Sequence, residues 1–199
     1  MLNRIALVLA AISAASFAQT RSADLIKPPI HSDFVPVEID TTAGRIVVAL
    51  DHLHAPLTTA NFLRYVDSHK FDGESFYRAM PYGAGGLIQG GITSDAAKLN
   101  PPVAFESSER TGIQNKAGAI AMADFEPGKA QADFFIETTD IPAFDGPNGF
   151  AAFGQVIEGM DVVKRILASP VSPTKGEGPM KGQMLDPPVK ILKVERVTK

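Results

Sequence analysis

Short apolar runs, each broken within a few residues by Gly, Pro, Asn or Asp, dominate this chain, and only two segments carry helical spacing. Such a pattern restricts the fold to many short strands with few helices. Val35, Val37 and Ile39 alternate with Pro36, Glu38 and Asp40, and Ile46, Val48 and Leu50 alternate again beyond Thr42-Ala43-Gly44. Period-two alternation on both sides of a glycine-bearing turn predicts a β-hairpin. Further strands are predicted over residues 75–78, 86–89, 119–123, 134–137 and 151–156, with 189–197 as the last. Pro56, at a position where a helix loses no needed N–H, opens a helix to about residue 68 with Leu57, Ala60, Phe62, Leu63 and Val66 as its apolar stripe. A second helix is expected over 160–168, with Val162, Val163, Ile166 and Leu167 apolar and Glu158 and Asp161 near its positive end. Eight short strands with two helices predict a mainly β protein: a closed antiparallel eight-stranded barrel whose open ends the two α-helices cap, because closure removes exposed edges. Residues 169–188, rich in Pro and Gly, read as one long loop rather than a linker to a second domain.

The 199 residues suit a single domain with a real core, and a net charge of −3 argues against a phosphate-tracking nucleic-acid binder. Residues 1–18 have the layout of a secretory signal: Arg4, an uncharged run from Ile5 to Ala15, then small residues at Ser16 and Ala18. That run is too short to span a bilayer, so no stable membrane anchor is expected. Residues 19–33 then read as a flexible N-terminal segment and 34–199 as the working domain. The expected compartment is a bacterial periplasm, with release outside the cell as the alternative. No heptad seam calls for oligomerisation, and a monomer is expected.

The absence of cysteine excludes disulfides, Cys-ligated metals and thiol nucleophiles. No P-loop, dinucleotide fingerprint, zincin motif or nucleophile elbow occurs, and Gly83-Ala84-Gly85-Gly86 has the wrong spacing for a phosphate cradle. His52 and His54 lack a third ligand nearby and read as solvated loop histidines, so neither a metal nor another cofactor is expected.

Three segments stand out together: Phe76-Tyr77-Arg78, Ile88-Gln89-Gly90-Gly91 and Asp133-Phe134-Phe135-Ile136. In this order and spacing they resemble the cyclophilin family of peptidyl-prolyl cis/trans isomerases. Thr42 to Ile46 resembles the family's opening hairpin, Pro56 to Phe62 its first helix, Lys116 to Ala123 its central strand and Phe153 to Val163 its late strand-to-helix segment. The resemblance runs from about Val35 to Val197. It implies a cyclophilin-like barrel that accelerates rotation about Xaa-Pro bonds in unfolded or partly folded exported polypeptides.

By that resemblance the catalytic residues are Arg78 and Gln89. A guanidinium stays protonated and offers several fixed donors, and an amide both donates and accepts. The resemblance places Leu87, Phe135 and Phe144 around the substrate proline, Ala123 and Asp124 along the bound peptide, and Phe150 as an apolar wall where many members carry His. Phe134 and Phe135, neighbours on a strand, are expected to face opposite sides, one the barrel interior and the other the groove, and the resemblance assigns Phe135 to the groove. Three departures stand out. Asp133 occupies a position where the family usually has Gln, and an ion pair with Arg78 is expected of it. The segment from Arg78 to Gln89 is about two residues longer than usual, so Tyr82 is expected to supply the pocket aromatic. Ala143 occupies the site of the Trp associated with cyclosporin binding, which implies weak affinity for that inhibitor. A non-catalytic peptide-binding chaperone that keeps the proline groove is the alternative function.

Overall fold

The structure, a computed structural model, describes residues 33–93, 95–124 and 126–197; the signal segment and nearly all of the lead-in lie outside them. Strands β1 (Phe34–Thr41) and β2 (Gly44–Asp51) form the expected hairpin, with Val37 opposite Val48 and Ile39 opposite Ile46. These four side chains, with Leu50, are wholly buried, so the period-two alternation does mark the face turned to the core. Helix α1 (Pro56–Asp67) follows, then β3 (Ser75–Tyr82), β4 (Gly85–Gly91), a four-residue helix α2 (Ser108–Thr111), β5 (Ala119–Met122), β6 (Phe134–Glu137), β7 (Ala152–Glu158), α3 (Met160–Leu167), β8 (Val171–Ser172) and β9 (Met184–Arg196).

The sheet runs β1-β2-β7-β5-β6-β4-β3-β9, and β9 pairs back onto β1 with Ile39 opposite Val194. Eight antiparallel strands thus close a barrel, with the two-residue β8 added outside β9. The expected fold holds, with two corrections. There are three α-helices among the described residues, not two, and the stretch read as one long loop contains β8, a 3₁₀ turn at Gly178–Met180 and the start of β9. Proline and glycine hid that strand, since Pro187 and Pro188 lie inside β9 and Pro donates nothing to a ladder. No described helix is long and apolar enough to cross a membrane.

The stripe on α1 is rotated from its expected phase. Phe62, Leu63 and Val66 are buried as expected, but Leu57 and Ala60 face outward while Thr58, Thr59 and Asn61 are buried. Each buried polar side chain has its partner. Thr59 Oγ1 donates to the Asp51 carbonyl (3.2 Å), and Asn61 Nδ2 donates to the Gln131 carbonyl (2.7 Å). The Glu106 carboxylate accepts from the N–H groups of Leu57 (3.2 Å) and Thr58 (2.8 Å) and from Thr58 Oγ1 (2.7 Å). Ala55, the residue before the helix, has no side chain able to cap, so a carboxylate about fifty residues away satisfies the orphan donors.

Inside the barrel Phe62, Phe71, Phe76, Phe134 and Phe153 form a cluster with ring centroids 5.0 to 5.6 Å apart, and Tyr65 stacks against Phe71 at 5.3 Å. A second, smaller apolar group lies on the other face of the sheet around Leu87, Ala121, Phe135, Ile141 and Ala152. Eight of the twelve phenylalanines of this Trp-free chain supply both.

Candidate active site

The outer apolar face forms the floor of a groove of about 590 Å³. Strand alternation divides the residues as expected: Phe134 and Ile136 pack inside the barrel, and Phe135 turns to the groove. On β4, Ile88 goes inward while Leu87 and Gln89 line the groove. Phe135, Phe144 and Phe150 meet edge to face at 4.7 to 5.6 Å and make one aromatic wall. Asn115 holds the segment that carries it: Asn115 Nδ2 donates to the carbonyls of Phe144 (2.9 Å) and Phe150 (3.2 Å), and Phe150 N–H donates to the Phe144 carbonyl (2.9 Å).

Tyr77 and Arg78 are consecutive, yet both line the groove. A β-bulge makes this possible. Phe76 pairs with Gly90 and Arg78 with Gln89, leaving Tyr77 as the extra residue. Phe76 therefore stays in the core while the next two side chains share the outer face. Arg78 Nη1 donates to Gln89 Oε1 (2.8 Å), and its Nε donates to Gln183 Oε1 (2.9 Å). Gln89 Nε2 donates in turn to the Tyr77 hydroxyl (2.7 Å), and that hydroxyl donates to Asp133 Oδ2 (2.6 Å). The result is a relay of short hydrogen bonds from Arg78 to Asp133 through an amide and a phenol.

The expected ion pair between Asp133 and Arg78 is thus absent among the described residues. Asp133 accepts from Tyr77, and Arg78 is anchored by two neutral amides. Burial pushes the Asp133 carboxyl above its ordinary range against the opposing hydrogen bonds, and burial pulls the Arg78 guanidinium below its own. Burial, with the nearby Asp133 charge, also drives the Tyr77 phenol far upward, so it remains a neutral donor. Gly91 permits the close approach of β4 to Asp133: its φ of +147° suits glycine, and a Cβ there would collide with the Asp133 carboxylate.

All nine residues singled out from sequence line this one groove: Arg78, Gln89, Leu87, Ala123, Asp124, Asp133, Phe135, Phe144 and Phe150. Tyr82 does not; it is exposed near the tip of the β3–β4 hairpin, and Met80, Met180 and Met184 complete the apolar lining instead. Ala143 is also outside the lining, exposed in the 3₁₀ turn Pro142–Phe144. Tyr77, Gln183 and Asn115 were missed. A strand read with strict alternation hides Tyr77, and the polar stretch before β9 gives Gln183 no local signal. His52 and His54 are exposed, with His54 Nδ1 2.8 Å from Asp51, and no described group of three His, Asp or Glu is placed to hold a metal.

A barrel of this topology with this groove invites comparison with known proteins. The family model described as cyclophilin type peptidyl-prolyl cis-trans isomerase matches residues 34–196. The chain belongs to the cyclophilins. It is a peptidyl-prolyl cis-trans isomerase, as are its named relatives. A peptidyl-prolyl cis-trans isomerase of Acinetobacter baylyi is 34% identical over 202 residues, covering 98% of this cyclophilin and 96% of the relative. Peptidyl-prolyl cis-trans isomerase A of Dickeya dadantii is 38% identical over 137 residues, 65% of this chain and 70% of the other. The crystal structure of a cyclophilin type isomerase from Cryptosporidium parvum superposes with a TM-score of 0.69 at 19% identity, covering 83% of this chain and 99% of that one. The same protein solved in the presence of the dipeptide Ala-Pro gives 0.67. At that identity the likeness is one of fold.

Proposed function

We propose that the groove binds Xaa-Pro segments of unfolded or partly folded exported polypeptides and that Arg78 stabilises the twisted prolyl amide. Amide resonance sets a barrier of about 18–20 kcal/mol to this rotation. At the top of the barrier the prolyl nitrogen is pyramidal and its lone pair localised. A donor aimed at that nitrogen therefore interacts more strongly with the twisted state than with either planar isomer, and this difference is what accelerates rotation. An acceleration of about 10⁵ requires roughly 7 kcal/mol. One charge-assisted hydrogen bond, with removal of water from around the amide, supplies an amount of that order.

The observation that carries the reading is the anchoring of Arg78. Two of its five N–H groups are held by Gln89 and Gln183, which fixes the guanidinium plane and leaves three donors for substrate. Leu87, Phe135, Phe144 and Phe150 offer the apolar seat a prolyl ring needs. Ala123 N–H is already bonded to the Asp133 carbonyl (2.8 Å), so a peptide pairs at Ala123 through its carbonyl. The Ala-Pro dipeptide used with the Cryptosporidium relative supports a proline-containing substrate. The signal-like layout of residues 1–18 supports an exported location, with periplasmic retention favoured over release. The mature protein acts as a monomer without cofactor.

Refolding of a test protein limited by proline isomerisation tests the activity directly. Catalytic amounts of this cyclophilin are expected to accelerate the slow phase. Binding of the unfolded chain with no acceleration would instead establish a peptide-binding chaperone.

A further inference from the structure

We infer that Asp124 makes this cyclophilin select Xaa-Pro segments that carry a lysine or arginine beside the proline. The inference rests on the groove being the prolyl-peptide site proposed above. Asp124 lines that groove, half-buried, and its carboxylate makes no hydrogen bond or ion pair with any described residue. Its situation differs from that of Asp133, whose Oδ2 accepts from the Tyr77 hydroxyl. It differs also from Glu38, Asp67 and Glu158, each matched by an arginine. Desolvation alone raises the Asp124 carboxyl to about 6, as expected for an anion sheltered from water and given nothing in exchange.

The groove contains one cation among its described lining residues, Arg78, and that charge faces two glutamines rather than Asp124. Asp124 therefore brings to the groove a carboxylate that no cation among the described lining residues balances. The segments of Asp124 and Asp133 are tied together, because Ala123 N–H donates to the Asp133 carbonyl at 2.8 Å. The remaining lining is apolar or neutral: phenylalanines, Leu87, three methionines and Thr93. A lysine or arginine beside the proline can lay its aliphatic stem on such a surface and bring its charge to Asp124. A glutamate in that place meets an unneutralised carboxylate.

The test uses proline peptides that differ only in carrying Lys, Ala or Glu next to the proline, on either side, with kcat/KM read from cis–trans exchange. Attraction and repulsion are each worth about threefold for a partly exposed pair, so Lys should exceed Glu by about tenfold with Ala between them. Asp124→Asn is expected to shrink that ratio to about twofold or less, and so is salt at about 1 M, where the screening length is about 3 Å. Asp133→Asn should leave most of the preference in place. Equal kcat/KM for Lys and Glu peptides in the unmodified protein, or a preference that survives Asp124→Asn, would overturn the inference. If the Ala peptide is accelerated while the Lys and Glu peptides do not differ, only this inference falls. If no peptide is accelerated, the isomerase reading of the groove falls with it.

Discussion

Among the described residues, Arg78 is held without a counter-ion. Its two anchors are amide oxygens, which orient a guanidinium without neutralising it, so its full charge stays available to the groove. Gln183 is accordingly a positioning residue, and Gln183→Ala should lower kcat by about tenfold, the scale of a hydrogen bond to a charged group, with KM and the unfolding midpoint nearly unchanged. Gln183→Glu keeps the acceptor but adds a counter-ion to the guanidinium, so by the same argument it should not restore full turnover; equal turnover in all three proteins would remove Gln183 from the mechanism. A second residue-scale prediction concerns Glu137 on β6, wholly buried, with neither carboxyl oxygen partnered among the described residues. Burial, with the charges of Asp145 and Asp140, raises its carboxyl from 4.5 to about 9. The folded state then holds a proton that the unfolded chain releases between those values. Stability should fall as pH rises through this window, by up to about 1.4 kcal/mol per pH unit, and level off above it. Denaturant unfolding across pH 5 to 8 should show Glu137→Gln gaining on the unmodified protein as pH rises; a constant difference would mean that Glu137 is ionised when folded.

At the scale of single elements, α1 depends on a carboxylate from elsewhere in the chain. Glu106 accepts three hydrogen bonds at the first turn of α1, where Ala55 offers none. Glu106→Ala should destabilise the protein by about 2 kcal/mol or more, since it strands buried donors as well as removing a cap. Thermal unfolding checks this, and a change below about 0.5 kcal/mol, the range of neutral surface substitutions, would mean that another group caps the helix. The same contacts explain why the α1 stripe was misphased. Periodicity weighs apolarity, and here Thr58, Thr59 and Asn61 are buried because tertiary partners satisfy them. Elements whose pattern is local were legible: the Val37/Val48 hairpin, the Phe134/Phe135 alternation and the buried face of α3 at Val162, Val163 and Ile166. Elements set by pairing across the barrel were not. The bulge at Tyr77 exists only relative to β4 and β9, and β9 begins in a stretch whose prolines read as loop.

For the whole molecule, the barrel divides its aromatic residues between two tasks. Phe62, Phe71, Phe76, Phe134 and Phe153 fill the interior and hold together a chain without disulfides, while Phe135, Phe144 and Phe150 form the wall of the groove outside. Four of the nine groove residues, Arg78, Gln89, Asp133 and Phe135, were legible in three segments that form an ordered set, and the other five followed from the family resemblance which that set carries. The relay from Arg78 through Gln89 and Tyr77 to Asp133 was not legible, because it depends on a bulge and on side-chain directions rather than on spacing. The central claim is that rotation is accelerated by the Arg78 guanidinium acting on the twisted amide. It is tested most directly by magnetisation-exchange NMR on an Ala-Pro peptide, comparing the unmodified protein with Arg78→Lys and Arg78→Ala. The account predicts that both substitutions cut kcat by about 10²-fold or more, as removal of a transition-state donor does, with peptide affinity changed far less. An Arg78→Ala protein that exchanges the peptide as fast as the unmodified one would contradict it.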